Sequence, residues 1–215
     1  MIKQGIDLSR WNIVTSFDDI KKEGIDFVIL RIGGSNGGFY KDPKFELYYK
    51  AAKKAGLKVG CYYDTGSDFI TSPNGYIAAK HMIGLMKDHQ FEFPVYADIE
   101  STSTAYKFET TKAAITFCMT LEKAGYFAGI YASDISGFKD RLALTQLQGR
   151  FTLWVARYEH KPTYVKDYAI WQKSSKGQLK GMVSRVDLNE CSVNFPSIIK
   201  KKHLNGFGGS SNASN

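Results

Sequence analysis

The side chains whose types and spacing could do chemistry are Asp98 and Glu100, which close the stretch Phe93-Pro94-Val95-Tyr96-Ala97-Asp98-Ile99-Glu100. A strand repeats every two residues, so both carboxylates leave one face while Ala97 and Ile99 leave the other. Pro94 has no N–H to give to a ladder and suits a strand's first position, which puts the acids at the C-terminal end. Two carboxylates in a confined site raise at least one pKa, and a protonated acid beside an ionised partner is what glycoside hydrolysis requires. Further acids fall in similar places: Asp7 closes Gly5-Ile6-Asp7-Leu8, Asp64 follows Val59-Gly60-Cys61-Tyr62-Tyr63, and Asp187 lies in Ser184–Asn189. All are expected at or near C-terminal strand ends. In a closed barrel the first and eighth strands are neighbours, so Asp7 and Asp187 would meet at the mouth that Asp98 and Glu100 face.

Aromatic residues accompany the acids. Tyr62, Tyr63, Tyr131, Trp154, Tyr158 and Trp171 lie near the ends of the same strands, where flat rings could pack on sugar faces and their polar tips bond to hydroxyls. About half of such a set should instead point into the barrel wall, because strand faces alternate. Arg31 and Gln172 are candidates to hold the acids or a sugar; their structural alternatives are an ion pair and a buried hydrogen bond.

The elements that must position these groups follow a rhythm. A helix ends in a basic residue and Gly, then a strand begins: Lys21-Lys22-Glu23-Gly24 before Phe27–Ile32, Lys53-Lys54-Ala55-Gly56 before Val59–Tyr63, and Glu122-Lys123-Ala124-Gly125 before Phe127–Tyr131. Gly can take the left-handed conformation that closes a helix, and a terminal Lys complements the helix dipole. Helical spacing is read in Phe45–Ala52, Ile77–Met86 and Ala113–Leu121, with Ser72-Pro73 as a helix start and a shorter helix over Phe138–Leu147. Three late strands, Thr152–Tyr158, Tyr168–Gln172 and Ser184–Asn189, are joined by turns with no room for helices. The sum is eight strands and five helices, a βα alternation that lapses into hairpins. Residues 1–205 read as one domain, and the Gly/Ser/Asn-rich 206–215 as a flexible linker.

Composition narrows the alternatives. No run approaches the roughly 18 apolar residues of a membrane span, and no basic-then-apolar leader opens the chain. Cys61, Cys118 and Cys191 are odd in number and sit in apolar contexts, so they read as buried thiols. The net charge of +8 favours anionic partners, yet the lysines lack the aromatic interleaving of a nucleic-acid module and read as solvated faces. Four histidines, His81, His89, His160 and His203, show no zinc-ligand spacing, so neither metal nor cofactor is expected. Gly33–Gly38 lacks the Gly-Lys-Ser/Thr of a phosphate loop and reads as a loop at the rim.

Taken together, Gly5-Ile6-Asp7-Leu8-Ser9, Val59–Tyr63, Tyr96–Glu100, Leu153–Tyr158, Ile170-Trp171-Gln172 and Val186-Asp187-Leu188-Asn189 resemble the glycoside hydrolase family 25 muramidases, the Chalaropsis-type lysozymes of bacteria and their phages. The resemblance runs through almost the whole chain. It implies a flattened TIM-like (β/α)5(β)3 barrel of α/β class, with eight mostly parallel strands and five helices. The implied activity is cleavage, with retention, of the β-1,4 bond between N-acetylmuramic acid and N-acetylglucosamine in peptidoglycan. Carried over, Glu100 matches the acid that protonates the leaving oxygen, and Asp98 a nucleophile or the group that orients the substrate's N-acetyl oxygen. Asp7 and Asp187 match the supporting acids. Many members have Tyr-His-Phe where this chain has Tyr62-Tyr63-Asp64, so Asp64 is a secondary candidate. Action outside the membrane on the bacterial wall is implied, by a phage endolysin released through a holin or a secreted enzyme without its leader, with a further wall-binding domain after residue 215. The alternatives are a wall-binding barrel without turnover and a glycosidase acting on chitin-like glycans.

Overall fold

The computed structural model describes residues 2–208. Eight strands close into a barrel: β1 (Lys3–Leu8), β2 (Phe27–Gly34), β3 (Lys58–Asp64), β4 (Val95–Asp98), β5 (Ala128–Ser133), β6 (Thr152–Ala156), β7 (Ile170–Gly177) and β8 (Val186–Cys191). Neighbours follow chain order from β2 to β8, and β1 pairs with both β8 and β2 to complete the ring. The pairs from β1–β2 to β6–β7 are parallel, while β8 runs antiparallel to β7 and β1. Helices α1 (Phe17–Lys22), α2 (Phe45–Lys54), α3 (Ser72–Met86) and α4 (Lys107–Lys123) connect the first five strands, and α5 (Phe195–Lys201) follows β8.

Local signals account for most boundaries. Ser16 caps α1 by accepting the Asp19 N–H at 3.1 Å, and Gly24, Gly56 and Gly125 close helices at φ of 88°, 78° and 86°. The cap of α3 is Thr71, one residue before the expected Ser72, so Pro73 still falls in the first turn where its missing N–H costs nothing. Strand alternation then splits the core in two. Phe27, Ile29, Tyr96, Tyr131, Trp154 and Ile170 fill the lumen, whereas Val28, Leu30, Val59, Cys61, Ala97 and Ile99 face the helices. Inward glycines make room for the large rings: a Cβ on Gly5 would sit 2.3 Å from the Phe27 ring, and one on Gly129 2.5 Å from Tyr96. All three cysteines are buried free thiols.

Three expectations are corrected. Phe138–Leu147 is not an α-helix; a π-turn over Asp134–Lys139 and a 3-10 turn at Leu144–Gln146 replace it. There the Ala143 N–H donates to Thr111 Oγ1 at 2.9 Å, a tertiary bond that competes with helix continuation. The fifth α-helix is instead α5, started by an Asn194 cap and Pro196. Second, β6 and β7 are parallel rather than a hairpin. The chain returns through residues 157–169, pinned where the buried Asp134 carboxylate accepts the N–H groups of Thr163, Tyr164 and Val165. Third, Gly33 and Gly34 belong to β2 and pair with the two-residue strand Tyr40–Lys41, so the rim loop is shorter than the glycine run.

The last residue of the expected domain is anchored. Asn205 is fully buried, donates from Nδ2 to the Phe91 and Phe93 carbonyls and accepts the Phe127 N–H, and Gln90 Nε2 bonds to the Gly206 carbonyl at 3.1 Å. Of the expected linker, residues 206–208 are described, with Gly206 and Gly208 exposed, and 209–215 lie outside the described residues. Among the described residues no helix is long and apolar enough to cross a membrane.

Candidate active site

Inward-facing positions at one end of the barrel bring the acids together. Asp7 and Asp187 are direct cross-strand partners in the β1–β8 pair, and Asp98 lies in register with Asp64 on one side and Tyr131 on the other. Asp187 arrives by a different route from the one expected. It sits at the N-terminal end of β8, and because that strand is antiparallel, its start is at the mouth. A cavity of about 190 Å³ is lined by Asp7, Tyr62, Asp98, Glu100, Tyr131, Trp154, Tyr158, Gln172 and Asp187. Glu100 follows the strand by two residues and still faces this cavity. The Ile99 N–H continues the ladder by donating to the Tyr131 carbonyl at 3.1 Å.

A hydrogen-bonded floor supports the acids. Asp7 Oδ2 accepts from Gln172 Nε2 at 2.9 Å and from Asn189 Nδ2 at 2.8 Å. Asn189 in turn accepts the Trp154 indole N–H at 2.8 Å, and Gln172 Oε1 accepts the hydroxyls of Tyr131 at 2.9 Å and Tyr158 at 3.2 Å. Asn189 is a site residue that spacing alone points to: it stands two residues after Asp187, on the same face of β8.

The four carboxyls titrate high for related but unequal reasons. Burial first, then Asp187, pushes Asp7 well above the ordinary carboxylate range, against the pull of the Asn189 and Gln172 bonds. Asp98 is pushed well up by burial and by Glu100, Asp64 and Asp7, with Arg31 opposing. Its Oδ1 is buried with no hydrogen-bond partner. Glu100 is exposed at the mouth yet raised by its surroundings and by Asp64 and Asp187, with Arg141 opposing. Asp187 is raised by burial, and a bond to Asp7 opposes. Each carboxyl is thereby shifted to keep its proton to a higher pH than an isolated carboxylate, the condition under which an acid and a base can coexist in one site.

The other expected residues divide. Tyr62, Tyr131, Trp154, Tyr158 and Gln172 line the mouth. Tyr63 faces the helices, fully buried, with its hydroxyl 2.8 Å from His81 Nδ1. Trp171 also faces outward and donates to the Arg157 carbonyl at 2.7 Å, lining a separate outer cavity with Tyr168 and Glu190. Neither side chain reaches the acids, because each is the odd member of its strand. Arg31 spends its Nε on Asp42 at 2.8 Å, with Nη1 4.0 Å from Asp64, so the ion-pair alternative describes it. Asp64 accepts the Tyr40 hydroxyl at 2.7 Å at the edge of the site. Among the described residues no group of three or more His, Cys, Asp or Glu is arranged to hold a metal ion.

Comparison with known proteins bears on this geometry. A family model described as glycosyl hydrolases family 25 matches residues 6–182. The chain is 26% identical over 190 residues to the autolytic lysozyme of Clostridium acetobutylicum, covering 88% of this chain and 56% of that protein. It thus spans little more than half the length of that curated relative. Among solved structures, the bacterial lysozyme from Streptomyces coelicolor matches with a TM-score of 0.76 at 21% identity, covering 95% of this chain and 98% of the other. The catalytic domain of endolysin ply40 from bacteriophage P40 of Listeria monocytogenes matches at 0.72 and 24% identity, covering 93% and 98%. At such identities the structural matches establish the barrel fold.

Proposed function

The chain belongs to the glycosyl hydrolases of family 25, and on that footing we propose that it is a peptidoglycan hydrolase, an N-acetylmuramidase that cleaves the β-1,4 bond between N-acetylmuramic acid and N-acetylglucosamine with retention. The observation that carries this reading is the convergence of Asp7, Asp98, Glu100 and Asp187 on one aromatic-walled mouth with every carboxyl pushed upward. Lysis of the bacterial wall follows from chain cleavage, and the place of action is the wall, outside the membrane. A further wall-binding domain fits a relative of which the matched residues make up 56%.

Glu100 is the general acid. Its pKa is raised in the direction a proton donor needs, and its open position lets it reach a glycosidic oxygen. Asp98 is the group that orients the substrate's acetamide. Its Oδ1, buried with no hydrogen-bond partner, is an acceptor for an amide N–H. The acetamide oxygen attacks the anomeric carbon as the bond to the leaving oxygen breaks and takes the Glu100 proton. Water, deprotonated by Glu100, then opens the cyclic intermediate, so two inversions give retention. Asp7 and Asp187 act through the other two as positioning residues.

The test is Glu100→Gln, which removes the proton and keeps the shape. Release of reducing ends from purified peptidoglycan should fall about 10²- to 10⁴-fold with the fold intact. Activity within threefold of wild type overturns the assignment. Running chitin oligomers in parallel separates a muramidase from a chitin-type glycosidase.

A further inference from the structure

On the β5–β6 side the mouth continues into a larger cavity of about 330 Å³, which shares Glu100 and Tyr158 with it and adds Ser133, Ser136 and Arg157. Arg157 directly follows the last residue of β6 and is held from both sides. Its N–H donates to the Gln172 carbonyl at 3.1 Å, and its own carbonyl accepts the Trp171 indole. Arg157 is half-buried as a residue while its guanidinium bonds lie at the exposed surface, where Nε and Nη2 both point at His160 Nε2, at 3.0 and 2.8 Å. The imidazole of His160 thus orients the guanidinium, and among the described residues its remaining N–H groups make no hydrogen bond.

The contrast with its neighbours is what gives Arg157 meaning. Arg31 is neutralised by Asp42, and Arg141 donates to the carbonyls of Thr102 and Ser136. Among the described residues Arg157 forms no ion pair with an acid, although it lines the same cavity as Glu100. A pre-oriented, partly exposed cation without an anionic partner, in the cavity that continues the mouth, is suited to a ligand that carries its own carboxylate. In the proposed substrate that group is what separates peptidoglycan from chitin: the 3-O-lactyl substituent, either as its own carboxylate or through the stem peptide attached to it.

We propose that Arg157 is the specificity-determining residue of the site, binding a carboxylate of the muramyl side chain in the cavity beside Glu100. This rests on the muramidase reading, and the experiment separates the two. Binding is measured on the Glu100→Gln protein, where turnover does not interfere, with and without Arg157→Gln or Arg157→Lys. The probes are a muramyl tetrasaccharide with free lactyl carboxylates, the same saccharide bearing a fully amidated stem dipeptide, one bearing a dipeptide with a free carboxylate, and chitotetraose.

Arg157→Gln should weaken a carboxylate-bearing probe roughly tenfold, a charge-assisted bond discounted for partial exposure, and leave chitotetraose within twofold. Arg157→Lys should restore part of the loss. Loss confined to the free-lactyl probe assigns the lactyl carboxylate, and loss confined to the free-carboxylate dipeptide assigns the stem. Equal weakening of all probes, chitotetraose included, makes Arg157 merely structural and overturns the inference, as does no weakening of any. Failure of the Glu100→Gln parent to bind any muramyl probe overturns the muramidase reading, and this inference with it.

Discussion

Asn189→Ala removes two bonds at once from the floor of the mouth: the acceptor of the Trp154 indole N–H and a donor to Asp7 Oδ2, each 2.8 Å long. Asn189 is 0% and Trp154 1% exposed, so water has no ready access to replace either. An orphaned buried donor costs about 1–3 kcal/mol, and a hydrogen bond to a charged group contributes about 1.5–3 kcal/mol. The two losses share one side chain and the indole can tilt, so about 3 kcal/mol is the expected sum. For a domain of this size that lowers Tm by roughly 6–12 °C. The chemical effect has a definite sign. The Asn189 bond favours ionised Asp7, so its loss raises the Asp7 pKa further and moves the acid limb of the activity profile to higher pH. Urea denaturation and a pH–rate profile read the two effects separately. A cycle with Trp154→Phe isolates the indole bond, because the double variant should cost less than the sum of the singles. Stability within about 0.5 kcal/mol of wild type together with an overlaid pH profile would refute the idea that this floor sets the acids.

Three further outcomes follow from the same geometry. Burial and the neighbouring acids hold the Asp98 pKa above its unfolded value, so the folded chain binds more protons and loses stability as pH rises through that window. Asp98→Asn should therefore be more stable than wild type at pH 8, with the advantage fading toward acid, as denaturation at several pH values will show. Asp187→Asn removes a charge that pushes up both Asp7 and Glu100, so the profile of any residual turnover should shift to lower pH; an unmoved profile makes Asp187 structural. Truncation after Leu204 deletes the three buried Asn205 bonds and should cost several kcal/mol, about 1 per bond, read as a lower Tm.

Much of the barrel was legible because its signals are local. Each of Gly24, Gly56 and Gly125 marks a helix end through a conformation that only its own neighbours dictate, and the strand after it is apolar on both faces. What failed was non-local. Phe138–Leu147 has helical spacing, yet Thr111 Oγ1 takes its Ala143 N–H, and that partner is not visible within the segment. The direction of β7 was hidden for the same reason. A parallel return without a helix needs residues 157–169 to be pinned, and the pin, Asp134, lies more than 20 residues upstream.

The site was legible where period two suffices and obscure where it does not. Asp98 with Tyr96, Tyr62 with Asp64, and Trp154 with Ala156 fall on the lumen side by alternation alone, and the same rule could have sent Tyr63 and Trp171 outward once Tyr62 and Gln172 were placed inside. Asp187 reached the mouth although its strand direction was misread, because a residue near either end of a strand can face a barrel's rim, and only pairing with Asp7 decides which rim. Arg157 escaped notice because a single arginine after a strand carries no pattern. Its significance is relational: it is defined by the acid it lacks, the imidazole that aims it and the carboxyl across the cavity. A chain of carboxylates spaced along strands announces a reaction, while the cation that would tell one glycan from another is found only after the strands have been closed around it.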